Sequence, residues 1–447
     1  MPKEKNTEIE VTVDNLGING EGVARYNGKA VFIKNALPGE KVRAKIIFSK
    51  PSFCHAIVLE YLTKSENRVN PACPLFPKCG GCNIQHLNYD AQLLYKQDLV
   101  KSTLLHVGKI DFPVSKTVAS DKVLRYRNKM SLPVREGKNG VEIGLFATAS
   151  HRVVPCEDCL LQPEWNKKLI ALLKVFVRDN KIPCYNEETK KGVLKHFVVR
   201  EVEGCLYVTL VVTKQIKADV FADMLADNFN SFVLYQNVNT MDNNVILSDR
   251  WHVVKKHNEP KLVENIFTTI HPAGFFQVND YIRRKMYEKV AYVLKNHDTN
   301  VVIDAYSGAG LLTSFFASFA PVVYGIEINK QAHESATEIA KNNGLDNMHP
   351  ILGDVKDKIG DILDEHIGRN IALVLDPPRS GCDRSVIEKI NAYEGITNLV
   401  YISCNPATLA RDLSLLTSYE ILSVTPYDMF PQTVNVETLV ILRKKTK

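Results

Sequence analysis

The order of apolar runs in the last third of the chain constrains the fold most. Four short runs rich in β-branched residues alternate with stretches long enough for a helix, at 301–304, 322–327, 371–375 and 399–402. Alternation of this kind predicts a doubly wound, mainly parallel α/β sheet. Two more runs, near 421–424 and at 439–442, follow without a helix-length gap between them. Because short connections join antiparallel strands, we expect a hairpin at one edge of this sheet.

A cysteine follows the fourth run, in the sequence Ser403-Cys404-Asn405-Pro406. Asn-Pro ends the strand, so we expect Cys404 at its carboxyl end, where open α/β sheets place their ligands. A thiol in that position can act as a nucleophile. The alternative is a buried cysteine that packs as a small apolar side chain, which is the commoner role of a free cysteine.

A glycine loop, Asp304-Ala305-Tyr306-Ser307-Gly308-Ala309-Gly310, follows the first run and opens a helical stretch. Thr313 occupies the place of the third glycine of the dinucleotide fingerprint, which counts against NAD. Glu327 ends the next run, where a carboxylate can accept both hydroxyls of a ribose. Together with the terminal hairpin, these features favour S-adenosylmethionine. An NAD or flavin enzyme is the alternative.

Cysteines cluster nearer the amino terminus. Cys73, Cys79 and Cys82 lie in a loop rich in Gly and Pro, and Cys156 and Cys159 follow later. Three thiolates need a fourth ligand, because zinc and iron–sulfur clusters both usually take four. We therefore predict a metal site with Cys156 or Cys159 as the fourth ligand. Spacing alone does not separate zinc from an iron–sulfur cluster.

The sequence divides into three predicted domains. Residues 1–64 contain short alternating runs punctuated by glycines, which predicts a small β-barrel. Residues 65–265 mix helix-like and strand-like stretches in an α+β pattern, and a helix at 89–107 is expected to pack on the third domain. The basic segment 124–130 in this region is predicted to be a strand that faces RNA. Residues 266–447 form the α/β domain described above.

The composition limits the class of protein, its partners and its cellular compartment. The chain has 447 residues, 45% of them hydrophobic and 24% charged, and a net charge of +6. This mild excess of basic residues permits a nucleic-acid partner without requiring one. No apolar run reaches membrane-spanning length, and the polar start lacks the apolar segment of a signal peptide. Ten cysteines without such a signal indicate a reducing compartment. We expect a cytoplasmic monomer with no membrane partner.

Several segments together resemble a known family. They occur in the order Gly-Phe-Phe-Gln-Val-Asn at 274–279, the glycine loop, Asp-Pro-Pro-Arg-Ser-Gly-Cys at 376–382, Ser-Cys-Asn-Pro at 403–406, and Phe-Pro-Gln-Thr at 430–433 with Glu437. This set is similar to the RNA (uracil-5-)-methyltransferase family. The barrel segment, with Gly-Ile-Asn-Gly-Glu-Gly-Val-Ala and Pro-Gly-Glu at 38–40, resembles a TRAM domain. With the cysteine cluster, the whole is closest to the bacterial 23S rRNA branch.

The resemblance implies a fold, ligands and residue roles. The fold is a Rossmann-like class I methyltransferase domain, preceded by an OB-like TRAM barrel and a mixed α+β central domain. The cofactors implied are S-adenosyl-L-methionine and a [4Fe-4S] cluster, and the partner is RNA, most specifically 23S rRNA. Cofactor contacts fall on Gln277, Tyr306, Glu327 and Asp376, and cluster ligands on Cys73, Cys79, Cys82 and Cys159. One departure is Asn435, where the family usually has His.

The predicted reaction is methylation of a uridine at C5. Addition of the Cys404 thiolate to C6 makes C5 nucleophilic, and Glu437 is expected to remove the C5 proton after methyl transfer. The base must be flipped out or single-stranded to reach the thiol. A tRNA uridine is an alternative substrate. An RNA cytosine-5 methyltransferase is disfavoured because Arg379, not Cys, follows Pro378, and the intact pair of Cys404 and Glu437 argues against a non-catalytic RNA-binding factor.

Overall fold

The computed structural model describes residues 4–138, 140–263, 266–267, 271–272, 274, 276–295 and 299–446. Phe275 of the Gly-Phe-Phe-Gln motif and Asn265, at the predicted end of the central domain, lie outside these ranges. Within them, no helix is both long and apolar enough to cross a membrane.

The amino-terminal strands form one six-stranded sheet in the order β1-β5-β6-β4-β3-β2. Their bounds are β1 Glu8–Thr12, β2 Asn15–Leu16, β3 Gly22–Tyr26, β4 Lys29–Lys34, β5 Lys41–Ser49 and β6 Phe53–Tyr61. Buried and exposed residues alternate along β1 and β5, as expected for strands with one face in a core. β1 also packs against β3, so the sheet curls around a single set of aliphatic side chains.

The central region contains a second, seven-stranded sheet in the order β13-β12-β11-β10-β7-β8-β9. Its strands are β7 Lys129–Gly137, β8 Gly140–Phe146, β9 Val153–Pro155, β10 Leu194–Val202, β11 Cys205–Val212, β12 Phe232–Val238 and β13 Trp251–His257. Helices α2 Trp165–Asp179 and α3 Asp219–Ala226 cover one face of the sheet. β11 and β12 are buried on both faces, which explains their continuous apolar sequence. β14 Leu262–Val263 and β15 Ile266–Phe267 form a small separate pair.

The prediction of a strand at 124–130 is wrong over most of its length, because β7 begins only at Lys129. Arg125 has a left-handed backbone with φ of 58°, a conformation that no regular strand accepts. Its guanidinium binds both carboxylate oxygens of Asp158 and donates to the carbonyl of Cys159. Arg125 thus joins two loops; its side chain is 26% exposed, and the prediction that this segment faces RNA stays a prediction.

The carboxyl-terminal region is the predicted α/β domain. Its strands are β16 Val301–Ala305, β17 Val322–Glu327, β18 Met348–Leu352, β19 Ile371–Leu375, β20 Ile396–Ser403, β21 Tyr419–Tyr427 and β22 Glu437–Lys444. They lie in the order β18-β17-β16-β19-β20-β22-β21. β16 to β20 are parallel, and β22 is antiparallel between β20 and β21, which confirms the terminal hairpin. We did not predict β18, because Pro350 interrupts it; an edge strand tolerates proline.

The helices of this domain lie on both faces of the sheet. They are α4 Asp280–Lys295, α5 Leu311–Ala317, α6 Lys330–Asn342, α7 Val355–Glu365, α8 Arg384–Ala392 and α9 Pro406–Leu415. Two apolar clusters, one on each side of the strands, form the core. The parallel strands therefore point their carboxyl ends to one edge, where the loops after β16, β19 and β20 meet.

Helix α1, Tyr89–Val107, precedes the central sheet in sequence but packs on the α/β domain against α9 and β21. Val100 and Leu104 join the core beneath that sheet. Lys96, on the same helix, is fully buried and forms an ion pair with Asp428. A buried charge needs a partner of this kind, so this contact fixes α1 in place on the α/β domain.

Candidate active site

A pocket opens at the carboxyl ends of β16 and β19. Three of the four residues predicted to contact the cofactor line it, Gln277, Tyr306 and Asp376. The fourth, Glu327, ends β17 beside the pocket, and its carboxylate accepts hydrogen bonds from the backbone N–H of Gly308 (2.9 Å) and Asn329 (2.6 Å). The structure thus brings all four side chains to one place.

The glycine loop between β16 and α5 shapes the floor of this pocket. Tyr306 has φ of 119°, which is strained for a residue with a side chain and is typical of ligand-binding loops. Gly310 has φ of 83°, and a Cβ there would lie 2.6 Å from the Cβ of Ala336. Glycine at 310 is therefore required both by the turn and by the close approach of α6.

Two carboxyl groups that line the pocket hold their protons unusually well. Burial raises the pKa of Asp304 to about 7, although its hydrogen bond from Thr313 acts in the opposite direction. Burial, followed by the neighbouring Asp304, raises the pKa of Asp376 to about 7. As the pH rises through about 7, both carboxyl groups lose their protons. The site then becomes more negative and more favourable for a cation.

Cys404 and Glu437 lie side by side at the same edge of the sheet. Cys404 follows the last residue of β20, and Glu437 is the first residue of β22. The two strands are antiparallel neighbours, with Ser403 paired to Thr438, so the next positions outward are Cys404 and Glu437. Glu437 is only 4% exposed, whereas Cys404 is partly open. This pairing places a thiol and a carboxyl group where one substrate ring can meet both.

The surroundings of Cys404 and Glu437 disfavour the ionised form of each side chain. Burial raises the pKa of the Cys404 thiol above its usual value, and the nearby Glu437 and Asp376 raise it further, while Arg379 lowers it. Burial also raises the pKa of Glu437 well above its ordinary range, with Asp376 adding to the effect and Arg379 opposing it. A carboxyl group with a raised pKa is suited to general acid–base work near neutral pH. Arg379 is the cation that favours the thiolate.

The segment that carries Arg379 is tied to the helix after Cys404. Asn405 caps α9 and also donates from its side chain to the carbonyl of Arg379 (3.1 Å). Arg411, further along the same helix, donates to the carbonyl of Ser380 (2.9 Å). The loop after β19 and the loop after β20 are therefore joined, which holds Arg379 near the thiol.

The cysteine cluster lies in a separate pocket that is lined only by residues between 73 and 161. Five thiols line it, Cys73, Cys79, Cys82, Cys156 and Cys159, with Leu75, Phe76, Leu145, Leu160 and Leu161 around them. All five are free thiols. Among the residues that the structure describes, no three His, Cys, Asp or Glu side chains converge closely enough to hold one metal ion. The thiols instead surround a space.

Backbone and side-chain donors point at two of these sulfurs. The N–H of Gly81 lies 3.4 Å from the Sγ of Cys79, and the side-chain amide of Gln85 lies 3.7 Å from the Sγ of Cys82. Burial raises the pKa of Cys82, and the neighbouring Cys159, Cys79 and Cys73 raise it further. Burial also raises the pKa of Cys156, to about 12. The same three cysteines also raise the pKa of Cys156, so the electrostatics group all five thiols and do not separate Cys156 from the predicted ligands.

Positioning residues that the sequence analysis missed connect these regions. Asn128 is buried and donates from its side chain to the backbone carbonyl of Gln277 (3.0 Å). The side-chain oxygen of Gln92, on α1, accepts a hydrogen bond from the backbone N–H of Gln432 (3.0 Å). The side-chain amide of Gln92 donates to the side-chain oxygen of Gln432 (3.1 Å). The N–H of Asn83, next to Cys82, donates to the carbonyl of Gln432 (3.2 Å). No sequence signal distinguishes such residues from ordinary polar ones.

The segment from 430 to 437 is therefore held from two sides. Lys96 donates to the carbonyl of Phe430 (3.0 Å), and the Tyr126 hydroxyl donates to that of Pro431 (3.1 Å). Asn435, the departure from the family pattern, is exposed, and its backbone N–H donates to the Thr433 hydroxyl. This segment leads directly into Glu437, so its anchoring fixes the carboxyl group that faces Cys404.

The strand order and the pocket at the carboxyl ends of β16 and β19 define a class I S-adenosylmethionine-dependent methyltransferase domain. Comparisons with known proteins agree. A family model described as a TRAM domain matches residues 2–59, and one described as tRNA (Uracil-5-)-methyltransferase matches residues 357–445. The second match includes both Cys404 and Glu437.

Relatives match along the whole chain. An uncharacterized RNA methyltransferase from Clostridium acetobutylicum is 35% identical over 459 residues, covering 100% of this chain and 99% of its own. One from Halalkalibacterium halodurans is 35% identical over 453 residues, covering 99% and 98%. The solved tRNA (uracil-54, C5)-methyltransferase of Pyrococcus abyssi, in complex with S-adenosyl-L-homocysteine, is 25% identical with a TM-score of 0.77, covering 97% of this chain and 99% of that one.

The chain belongs to the RNA (uracil-5-)-methyltransferase family and carries a TRAM domain at its amino terminus. The predictions of an enzyme, of S-adenosylmethionine and of an RNA substrate are confirmed at this level. The expected monomeric state and cytoplasmic location stay predictions.

Proposed function

We propose that the protein makes 5-methyluridine in RNA with Cys404 as nucleophile and Glu437 as general base. The observation that carries the proposal is the pairing of β20 with β22, which places the thiol and the carboxyl group at adjacent strand ends. A uracil ring between them would present C6 to the thiol and the C5 proton to the carboxylate. The family has the same reaction type, which supports the assignment.

The residues act in a defined order. The Cys404 thiolate forms a bond to C6, and the ring electrons move onto C5 and the O4 carbonyl. S-adenosylmethionine, when bound, supplies the methyl group that C5 takes up. Glu437 then accepts the proton that C5 still carries. As that proton leaves, the C6–S bond breaks and Cys404 returns as the thiolate. Loss of the proton from Glu437 to solvent and departure of S-adenosylhomocysteine then restore the enzyme. Arg379 stabilises the thiolate at both ends of the cycle.

The cofactor residues follow from the pocket. Glu327, fixed by two backbone N–H groups, is suited to accept the ribose hydroxyls. Tyr306 and Gln277 line the walls, and Asp376 lies between this pocket and Cys404. A carboxylate at that junction can favour a sulfonium cation on one side and hold the uracil edge on the other. We assign all four residues to cofactor binding.

For the substrate, we propose a uridine in 23S rRNA. The support is the resemblance of the whole chain, with its cysteine cluster, to the bacterial rRNA branch. A tRNA uridine is the second candidate, because the Pyrococcus abyssi enzyme with which this chain shares its fold is a tRNA methyltransferase. Transfer of labelled methyl groups to unmodified 23S rRNA and to unmodified tRNA, followed by mapping of 5-methyluridine, separates them. Label in tRNA alone would overturn the rRNA proposal.

We further propose that Cys73, Cys79, Cys82 and Cys159 hold a [4Fe-4S] cluster. Each thiolate of such a site binds a different iron, so the thiols surround the cluster instead of converging on a point, as these do. The N–H donors near Cys79 and Cys82 suit thiolate ligands. Cys156 is 2% exposed, and the resemblance to the family assigns the fourth ligand to Cys159 instead. The cluster would cross-link two loops; the methylation needs no electron from it.

A basic group in the central domain supports RNA binding near the site. Lys129 begins β7, directly opposite Arg200 in β10. Burial, and after it the neighbouring Arg200 and Arg127, lower the pKa of Lys129 to about 8. Cations placed this close repel one another unless an anion joins them. Arg200 is 2% exposed and already has Asp280 nearby. Arg127 and Lys129 are partly open, and a phosphate of the RNA is the anion that the proposed function supplies for them.

A further inference from the structure

Asp412, on α9, is a fully buried carboxylate to which the proposed chemistry gives no role. Its oxygens accept three hydrogen bonds. Oδ2 accepts from the hydroxyl of Tyr401 (2.6 Å) and from the backbone N–H of Cys382 (2.8 Å), and Oδ1 accepts from the guanidinium of Arg411 (2.7 Å). A buried charge is tolerated where several donors satisfy it. One of these donors belongs to the backbone of the loop after β19.

That loop, which contains Arg379, turns tightly around the Asp412 carboxylate. Gly381 has φ of 79°, and a Cβ there would lie 2.5 Å from Oδ2 of Asp412 and 2.5 Å from Nη2 of Arg411. The backbone therefore lies directly against the carboxylate and the guanidinium, an approach that a side chain at position 381 would prevent. The turn from 379 to 382 is shaped around Asp412.

Arg411 extends this contact along the turn. Its guanidinium, which Asp412 binds, also donates to the carbonyls of Ser380 (2.9 Å) and Cys382 (3.3 Å). Asp412 thus holds the turn in two ways, directly at one N–H and through Arg411 at two carbonyls. Because the side chain of Arg379 is exposed, the backbone of this turn decides where its guanidinium can lie.

We propose that Asp412 is a positioning residue that fixes this turn and thereby keeps the guanidinium of Arg379 beside the Cys404 thiol. The charged groups that face the thiol are Glu437, Asp376 and Arg379; the two acids oppose the thiolate and Arg379 favours it. A displaced turn would leave the acids without this opposing cation. The inference deepens the proposed function and rests on it in one respect, since the proposed function is what makes the thiolate of Cys404 catalytic.

The direction of the effect separates positioning from a direct action of the Asp412 charge. Removal of a nearby negative charge lowers the pKa of a thiol. Displacement of Arg379 removes a positive charge and therefore raises the pKa of Cys404. A merely structural role of Asp412 would lower the stability of the fold and leave that pKa where it is.

The test measures the ionisation of Cys404 without RNA or cofactor. Full-length protein prepared without oxygen reacts with iodoacetamide at a series of pH values, and mass spectrometry of the peptide that contains Cys404 gives each rate. Because the thiolate is the form that reacts, the midpoint of this profile reports the pKa of the thiol. We expect Asp412→Asn to raise the midpoint by about 0.5 to 1 pH unit and to slow alkylation at pH 7 by about 3- to 10-fold.

Three further variants make the test specific. Asp383→Asn removes an exposed carboxylate of the same loop while asparagine can still cap α8, so its midpoint should equal that of the wild type. Gly381→Ala keeps every charge but forces the turn away from Asp412, so its midpoint should rise; it also carries the test if circular dichroism shows that Asp412→Asn does not fold. The double variant Arg379→Gln/Asp412→Asn should have the midpoint of Arg379→Gln, because Asp412 acts through Arg379.

An unchanged or lowered midpoint in Asp412→Asn or in Gly381→Ala would overturn the proposal. So would an equal rise in Asp383→Asn, or a midpoint in the double variant well above that of Arg379→Gln. If Cys404→Ala abolishes methyl transfer but Asp412→Asn has the wild-type alkylation profile, the positioning role fails and the proposed function stands. If Asp412→Asn raises the midpoint but Cys404→Ala still methylates RNA, the positioning role stands and the proposed nucleophile fails.

Discussion

Cysteines occur in two very different settings in this protein. Cys404 lies at the reaction edge, and its neighbours Glu437, Asp376 and Arg379 are charged groups on other loops. The five thiols of the cysteine pocket have one another and apolar side chains as neighbours. Burial raises the pKa of Cys404, and in the cysteine pocket that of Cys79, Cys82, Cys156 and Cys159. The neighbours therefore decide the role: one thiol beside a carboxyl group is suited to acid–base and covalent chemistry, and several facing thiols are suited to a metal cluster.

The two settings are also physically joined. The loop that contains Cys82 continues to Asn83, whose N–H contacts Gln432, and the chain then runs from Gln432 to Glu437. If a bound cluster cross-linked the loops of the cysteine pocket, it would therefore also restrain the segment that presents Glu437 to Cys404. The comparison predicts that changes at the reaction edge abolish chemistry, while changes in the cysteine pocket weaken binding and stability.

The largest effect is expected for Cys404→Ala. Loss of the thiol removes the covalent bond to C6, so methyl transfer should fall by on the order of 10⁴-fold or more. The S-adenosylmethionine pocket is built from other loops, and its dissociation constant, measured by calorimetry, should change less than about threefold. Cys184→Ala, which removes a buried thiol of the central region, is the control and should retain activity. Near-normal turnover in Cys404→Ala would refute the nucleophile.

Glu437→Gln should slow turnover by about 10²- to 10⁴-fold. The step that fails differs from the one that fails in Cys404→Ala. The thiol can still add to C6, and C5 can still be methylated, but the base that removes the C5 proton is lost. The enzyme should remain covalently attached to the methylated RNA, and a denaturing gel should show a slowly migrating protein–RNA band. The double variant Cys404→Ala/Glu437→Gln should show none. A single variant that is slow yet forms no band would assign Glu437 another role.

Cys159→Ser tests the proposed role of the cysteine pocket. Protein purified without oxygen should contain iron and sulfide and absorb as a brown chromophore. Cys159→Ser should lose most of the iron and bind RNA more weakly, while Cys156→Ser and Cys184→Ser, which change buried thiols predicted not to be ligands, should keep it. Because metal binding is coupled to folding, thermal unfolding of Cys159→Ser should begin at lower temperature. Zinc in place of iron, or the reverse pattern for Cys156, would overturn the assignment.

The smallest effect is expected for Arg379→Gln. Arg379 lowers the pKa of Cys404 against burial, Glu437 and Asp376, so its loss should raise that pKa and reduce the thiolate fraction at neutral pH. Arg379 is exposed and screened by solvent; we therefore expect single-turnover methyl transfer at pH 7 to fall by about 3- to 10-fold. The deficit should shrink as pH rises toward the thiol pKa. A pH-independent deficit would mean that Arg379 acts on the substrate instead.

Local sequence was enough to define the α/β domain and to place several of its candidate site residues at the strand ends. Parallel strands such as β16 and β19 are buried on both faces, so they appear as continuous apolar runs, and each carboxyl end carries its functional residue within a few positions. Tyr306 and Asp376 directly follow these two strands, and Glu327 ends β17. Local sequence is informative here because the strand end itself sets the position of the side chain.

What holds the site together depends on tertiary packing. Asn128 supports Gln277, Gln92 holds Gln432, and Lys96 pairs with Asp428, and these partners are far apart in sequence. The same applies to Arg125, predicted to lie on a strand and found in a loop bound to Asp158. A polar residue has the same local sequence whether it ends in solvent or in a buried hydrogen bond. Its partner is chosen by the packing of whole domains, which no local pattern encodes.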